Sequence, residues 1–182
     1  MFPGWKESGN AFDGALSELF VRRCEELSCP LLALKVFGNF SKYNLPLTLP
    51  GAQLLMHSLH VEHPIETVIT TSALYNTYNL RPVAQDLASC AMFVAACFKH
   101  NSKDSIKVAN ALVPHLQAML GKVRALPVST NSTEKALNKP NVWIKWALKK
   151  VDKALFVRNG QREEWLRDWR MKSGHITEAS AF

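Results

Sequence analysis

The chain has 182 residues, a net charge of +7 from 22 Lys and Arg against 15 Asp and Glu, and a hydrophobic fraction of 47%. These values allow one domain with a core, or one domain with an appendage, and exclude a chain that is disordered throughout. No apolar run approaches the roughly 18 residues that a membrane-spanning helix needs. The positive charge favours phosphate partners, although a solvated surface that only maintains solubility has the same charge.

Apolar residues recur at helical spacing through most of the chain, and the alternation typical of β-strands is nearly absent. Glycine and proline are concentrated at the joints between these segments. The predicted helices span 12–27, 31–43, 51–60, 64–78, 83–99, 103–122, a segment beginning at 141, and 161–172. On the first helix we expect one buried stripe, made of Phe12, Ala15, Leu16, Leu19, Phe20 and Leu27. The sequence therefore predicts an all-α fold.

A short motif repeats at the ends of two predicted helices. Tyr43-Asn44-Leu45 recurs 35 residues later as Tyr78-Asn79-Leu80. Asparagine tolerates the left-handed conformation that ends many helices, and the following leucine can fold back on the helix end. We therefore expect both asparagines to terminate their helices in this way, and the spacing indicates an internal repeat.

The residues around the first copy resemble the pentatricopeptide repeat family. Ala33-Leu34-Lys35-Val36-Phe37, followed by Asn44-Leu45 and Leu47-Thr48, matches the core pattern and helix end of its second helix. The resemblance implies an α-solenoid of helical hairpins, with about three degenerate 35-residue repeats over residues 12–122. It also implies RNA recognition by one residue pair per repeat, of which Thr48 and Gln53 form the first pair here.

The same resemblance suggests where the protein acts. Diverged repeats of this kind occur in mitochondrial gene-expression factors and in proteins of mitochondrial ribosomes. It thus implies the mitochondrial matrix, with the cytoplasm as the alternative, although no transit peptide is evident in this chain.

After a polar linker at 123–140, the segment 141–172 concentrates basic and aromatic residues. Between Lys139 and Lys172 there are ten Lys and Arg against four acids, and four of the five tryptophans lie between Trp143 and Trp169. Basic side chains interleaved with indoles can hold unpaired RNA by charge and stacking, and Trp and Arg also anchor protein interfaces. The candidate RNA-binding residues are Lys145, Lys149, Lys150, Arg158, Arg162, Arg167 and Arg170, in addition to Thr48 and Gln53. The candidate partner-interface residues are Trp143, Trp146, Trp165 and Trp169.

The helix that begins near Asn141 has two stripes. Val142, Trp146, Lys149 and Lys153 form one, and Trp143, Ala147, Val151 and Leu155 form the other. One interpretation makes 141–172 an anchor for an external partner; the other makes it a structural cap whose tryptophans dock as core. A helix lying on a membrane surface is disfavoured by Asp152, Glu163, Glu164 and Asp168.

Motifs for catalysis or metal binding are not evident. The sequence has no Gly-rich phosphate loop, no Gly-x-Ser-x-Gly and no His-Glu-x-x-His, and its cysteines lack zinc spacing. His57, His60 and His63 are spaced by three, but Pro64 follows directly and spoils a shared helical face. We expect Cys90 and Cys97 to lie on one buried helix face, and all four cysteines to be reduced.

These observations favour a non-catalytic scaffold. We expect no catalytic residue, metal, cofactor, small-molecule substrate or membrane. The leading hypothesis is an RNA-associated protein, plausible as a mitochondrial ribosomal protein or a mitochondrial translation or RNA-processing factor. Its partners would be RNA, held through phosphate contacts, and neighbouring proteins. The alternative is a helical adaptor that binds only protein.

Overall fold

The computed structural model describes residues 12–125 and 139–176, and within these ranges it contains helices and no strands. The helices are α1 (Gly14–Glu26), α2 (Pro30–Phe37), α3 (Phe40–Tyr43), α4 (Leu49–His60), α5 (Ile65–Thr77), α6 (Leu87–His100), α7 (Lys103–Lys122), α8 (Lys139–Asn159) and α9 (Glu164–Lys172). A short 3-10 helix, Val83–Gln85, precedes α6. The all-α prediction is confirmed.

One predicted helix is interrupted. The segment expected to be helical over 31–43 ends at Phe37 and restarts at Phe40. The Asn39 side chain accepts a hydrogen bond from the Lys42 backbone N–H at 3.2 Å and begins α3. An asparagine at this position offers the backbone an alternative to continued helix, which explains the break.

Side-chain oxygens begin four of the longer helices. Each accepts a hydrogen bond from the backbone N–H three residues further on, and such a cap typically stabilises a helix by about 1 kcal/mol. The capping residues are Asp13, Thr48, Asp86 and Ser102. The helix start expected in the joint 101–104 is confirmed.

Left-handed asparagines end three helix segments. Asn44, Asn79 and Asn101 have φ of 50°, 53° and 59°. After Asn79, the Leu80 N–H donates to the Tyr75 carbonyl at 2.7 Å, which satisfies a carbonyl of the last turn. The prediction made from the repeated motif is confirmed for both of its copies, and Leu45 is only 1% exposed.

The described residues form two compact units, of which the first is 12–83. In it, α1 packs on α2 and α4, while α5 packs on α4 and α2. Its largest fully buried side chains include Phe37, Leu55, Leu59 and Tyr75. The Phe37 ring meets the rings of Phe20 and Tyr78 edge to face, at centroid distances of 6.1 and 6.2 Å.

The expected stripe on α1 is wrong. Leu16, Leu19 and Leu27 are exposed, whereas the buried face of this helix is formed by Ser17, Val21 and Cys24. Ser17 can be buried because its hydroxyl donates to the Asp13 carbonyl at 3.0 Å, so that no polar group is left unsatisfied. The satisfied hydroxyl thus allows Ser17 to lie on the buried face of α1, which packs against α2 and α4.

The described residues of the second unit are 84–125 and 139–176, and α6 is its central helix. Helices α7 and α8 both pack against α6, and every residue from 88 to 98 is buried. Of the two stripes described for α8, the one formed by Trp143, Ala147, Val151 and Leu155 is buried, whereas Trp146 of the other stripe is exposed. This packing supports the interpretation of α8 as a structural element of the unit.

The packing divides the chain at a different place from the sequence analysis. The boundary between the units falls after Val83, inside the range 12–122 that was predicted to form one solenoid. The helices of 84–122 belong with α8 because α6 contacts it. Residues 126–138 of the predicted linker lie outside the described residues.

Candidate basic and aromatic surface

The outer side of α8 carries basic and aromatic side chains. Because Trp143 and the residues in register with it are buried, the opposite side of the helix is exposed. Trp146 is 52% exposed and Phe156 is 43% exposed. We call the following set the basic face: Lys145, Trp146, Lys149, Lys153 and Phe156 of α8, with Arg162 from the turn that follows. Successive lysines four residues apart lie about 6 Å apart along the helix axis.

A buried carboxylate connects this helix to the residues after it. Asp152 is 4% exposed, and its Oδ2 accepts hydrogen bonds from Arg162 Nη1 at 2.9 Å and from Arg170 Nη1. The Arg170 side chain is 6% exposed. Burial lowers the pKa of its guanidinium, and the Asp152 carboxylate opposes that shift. Asp152 therefore fixes α9 and the preceding turn against α8.

The turn that brings these groups together depends on a glycine. Gly160 has φ of +73° and its N–H donates to the Phe156 carbonyl at 2.9 Å, which ends α8. Glycine adopts this conformation without the steric cost that a Cβ would impose. The chain then reverses and returns Arg162 to the side of Asp152.

The basic face borders a groove of about 670 Å³. All of its members line the groove, together with Asp152, Arg170, His175 and Ile176. The groove thus combines five cationic side chains, one carboxylate and two exposed aromatic rings. Such a composition suits an anion that carries a planar group.

His175 lies near two cationic side chains of this surface, Lys145 and Arg170. Burial, then Lys145 and Arg170, lower the pKa of its imidazole to about 4. Its ring packs edge to face on Trp169 at a centroid distance of 5.3 Å. The imidazole is therefore neutral at pH 7.

This depressed pKa predicts a pH dependence of stability. In the unfolded chain the histidine titrates near its ordinary pKa of about 6.5, so between about 6.5 and 4 the unfolded state binds the extra proton. The contribution of His175 is complete above about pH 6.5 and is lost as the pH falls towards 4. We expect the free energy of unfolding of the wild type to fall more steeply over this window than that of a His175→Gln variant. The free energy of unfolding of both proteins is measured by urea titration at pH 7, 6, 5 and 4. If it falls equally with pH in the wild type and in the variant, the assignment is contradicted.

The remaining candidate RNA-binding residues are divided between the two units. Thr48 caps α4 and donates to Glu18 Oε1 at 2.7 Å, so its hydroxyl has a structural role in the first unit. Gln53 is half-buried on α4 in that same unit, and Arg167 is half-buried on α9. Arg158 is exposed and donates to Asn101 Oδ1, with its guanidinium 5.4 Å from the centre of the Phe98 ring.

Two of the cationic candidates are less exposed than a phosphate-binding group on a surface would be. Lys150 is partly buried, and burial followed by the nearby Lys99 lowers its pKa. Arg170 is buried and bonded to Asp152. Of the nine candidates, Lys145, Lys149, Arg162 and Arg170 line the one groove, and the first three of these are accessible.

The four candidate tryptophans have different environments. Trp143 is buried in the second unit, whereas Trp146 is exposed on the basic face. The indole N–H of Trp165 donates to Glu163 Oε2 at 3.2 Å. Trp169 is half-buried beside His175. Trp146 is therefore the member of this set that an external partner can most easily reach.

The sequence-based candidates did not include five residues that line the groove: Asp152, Lys153, Phe156, His175 and Ile176. Lys153 and Phe156 continue the spacing of Lys145, Trp146 and Lys149, so the helical period could have found them. Asp152 and His175 carry no comparable signal, because their position depends on how the chain turns after α8.

Two histidines of α4 have partners within the first unit. The His57 imidazole pairs with Glu25 Oε1 at 3.2 Å, and His60 Nδ1 bonds the His57 carbonyl. Within residues 12–125 and 139–176, no group of three His, Cys, Asp or Glu is placed to hold a metal ion, and no helix is long and apolar enough to cross a membrane. All four cysteines are described and are free thiols; burial raises the pKa of Cys90 to about 12 and that of Cys97 to about 11.

Comparison with protein-family models, with curated proteins and with solved structures gave no match. A function must therefore be inferred from the side chains of this surface.

Proposed function

We propose that the protein is a non-catalytic, RNA-associated scaffold that holds single-stranded RNA on the basic face. The observation that carries this proposal is the exposed Trp146 indole, set between Lys145 and Lys149 on a helix whose opposite side is core. Cationic side chains attract the phosphate backbone in a salt-dependent way. Base stacking on an aromatic ring adds about 1–3 kcal/mol per base without requiring a particular sequence.

The packing and ion pairs that hold α8 in place favour binding without rearrangement of the basic face. Helix α8 is fixed by its buried stripe against α6 and by the Asp152 ion pairs to Arg162 and Arg170. Its side chains therefore start from a backbone that is already ordered, which reduces the entropy lost on binding. Because Asp152 is buried and bonded by the two arginines, its negative charge is largely offset, and the lysines set the charge of the face.

The first unit supports the proposal that the protein is a scaffold. Helices α1–α2 and α4–α5 form two adjacent helix pairs, each followed by a left-handed asparagine, at Asn44 and Asn79. We include in the proposal that they are diverged repeats of the pentatricopeptide type within a repeat solenoid. By that resemblance we also propose a place in mitochondrial gene expression or in the mitochondrial ribosome, in the matrix, with the cytoplasm as the alternative location.

A salt series on RNA binding tests the proposal. We expect single-stranded RNA to bind with an affinity that falls linearly on a log–log plot against salt, with a slope of about −0.7 per phosphate contact. A Lys149→Gln/Lys153→Gln variant removes two contacts, so its slope should be shallower by about 1.4. Trp146→Ala should weaken binding by about 1–3 kcal/mol through lost stacking and leave the slope unchanged.

Lys103→Gln/Lys107→Gln on α7 is the matched control. It removes the same charge from exposed positions of the same unit, outside the basic face. If both double variants lower the affinity equally, the net charge and not this face is responsible. Absent or salt-independent binding would leave the alternative, an adaptor that binds only protein. The apolar side chains exposed on α1 and α2 favour that function: Leu16, Leu19, Leu31 and Leu32.

A further inference from the structure

We propose that the groove beside α8 is a binding site for a nucleotide phosphate monoester, with the phosphate at Arg162, Arg170 and His175 and the base against Trp146. This inference rests on the proposed function, to which it adds a site for a terminal phosphate. The same chemistry is presented by the phosphorylated end of an RNA strand and by a free nucleotide.

The charge of the groove favours a dianion over a single backbone phosphate. Five cationic side chains and one carboxylate line it, and that carboxylate is bonded by both arginines. A phosphate monoester carries between −1.5 and −2 charges at pH 7, with three strong acceptor oxygens, whereas a backbone diester carries one. The excess of positive charge is therefore better matched by a terminal phosphate.

Two buried nitrogen atoms of residues that line the groove provide the second argument. Arg170 Nε and His175 Nδ1 are buried, and neither has a hydrogen-bond partner within the described part of the chain. Arg170 directs Nη1 to Asp152, so its Nε–H remains as a second donor. A buried donor without a partner is costly, and a phosphate oxygen is the acceptor that a guanidinium binds best.

The electrostatics at His175 agree with this placement. The charges of Lys145 and Arg170, added to burial, hold the pKa of its imidazole near 4. A dianion bound between these groups would oppose both charges. A ligand of this kind should therefore raise the pKa of His175 towards its ordinary value, whereas an uncharged nucleoside should not.

The dimensions and the aromatic wall indicate a nucleotide and not phosphate alone. A volume of about 670 Å³ lies in the range of pockets for small organic ligands, about 300–1,000 Å³. Trp146 lines the same groove with half of its surface exposed. The face of an indole stacks on any base, so the site would recognise the phosphate and tolerate different bases.

Oligonucleotides that differ only at their ends provide the test. One RNA sequence is prepared with a 5′-phosphate, with a 3′-phosphate, or with hydroxyl groups at both ends, and a nucleoside 5′-monophosphate and its nucleoside are titrated in parallel. We expect a terminal phosphate to tighten binding about tenfold, as one charge-assisted contact allows. The monophosphate should bind, and it should raise the pKa of His175 measured by NMR; the nucleoside should do neither.

Variants separate the role of the groove's arginines from that of its lysines. Arg162→Gln keeps the Asp152–Arg170 pair, so the fold should persist while the preference for a terminal phosphate falls to about twofold or less. Lys149→Gln/Lys153→Gln should weaken all the oligonucleotides and retain that preference. Lys107→Gln, with the charge change of Arg162→Gln, should change neither.

The outcomes distinguish this inference from the proposed function. RNA that binds equally with and without terminal phosphates, together with no binding of the monophosphate, would overturn the inference and leave the RNA face intact. Binding of the monophosphate without binding of RNA would support the groove as a free-nucleotide site and refute the proposed function. Inorganic phosphate binding as tightly as the monophosphate would overturn the role given to Trp146.

Discussion

An Asp152→Asn variant should lose about 3–5 kcal/mol of unfolding free energy in the second unit, because removing one partner leaves a buried charge uncompensated. Arg170 is 5% exposed, and its guanidinium forms an ion pair with the Asp152 carboxylate. The amide keeps the shape of the carboxylate, so the loss would report charge and not packing. Urea unfolding followed by tryptophan fluorescence measures it, since four of the five tryptophans belong to this unit.

A double variant provides the control. Asp152→Leu/Arg170→Met replaces both buried charged groups by apolar ones, a change that is often neutral or stabilising. We therefore expect it to recover most of the stability that Asp152→Asn loses. If the double variant is as unstable as the single one, the ion pair is not the cause, and the site tolerates no change in shape.

In the first unit, Phe37→Ala should cost about 3–5 kcal/mol, as expected for a fully buried aromatic side chain. Phe37 is 1% exposed and contacts the rings of Phe20 and Tyr78. The Tyr78 hydroxyl also donates to the Phe37 carbonyl at 2.9 Å, so a shift of α2 would disturb a second contact. Hydrogen exchange of peptides from α2 and α4 measures the loss within this unit.

His57→Ala is the comparison within the same core. The His57 side chain is 19% exposed and its contact with Glu25 lies near the surface, where such pairs contribute about 0–1 kcal/mol. It should therefore cost far less than Phe37→Ala. A protein unfolded by His57→Ala and unaffected by Phe37→Ala would show that the helix faces of this unit are assigned wrongly.

Local signals in the sequence were sufficient to predict the helices. Capping side chains such as Ser102 and left-handed asparagines such as Asn79 act within a few residues, so they can be recognised without the tertiary structure. The buried stripe of α8 was predictable for the same reason, since four apolar residues share one face. On α1 the same reasoning failed. This helix has apolar residues on two faces, Leu16 and Leu19 on one and Val21 and Cys24 on the other, and packing against α2 and α4 determines which face is buried.

The residues of the candidate site were less predictable from local sequence patterns than the helices were. The basic and aromatic composition of α8 directed attention to this helix, and its helical period to several groove residues. The pairing of Asp152 with Arg162 and Arg170, 10 and 18 residues further on, follows from the reversal at Gly160 and from the return of α9. Sequence alone treated Arg170 as one more surface cation, whereas the structure makes it an internal partner of Asp152.

The central position of α6 has a consequence for synthesis on the ribosome. Its buried residues, 88–98, receive one of their two covering helices only when α8 has been made, and Leu155 follows Phe98 by 57 residues. At about 5–20 residues per second, translation leaves that side of α6 uncovered for roughly 3–11 s. Helices α1 to α5 pack among themselves and can fold during this interval. The nascent chain therefore presents an ordered first unit while one side of α6 is still uncovered. At this stage a chaperone or a premature contact has the most apolar surface to bind.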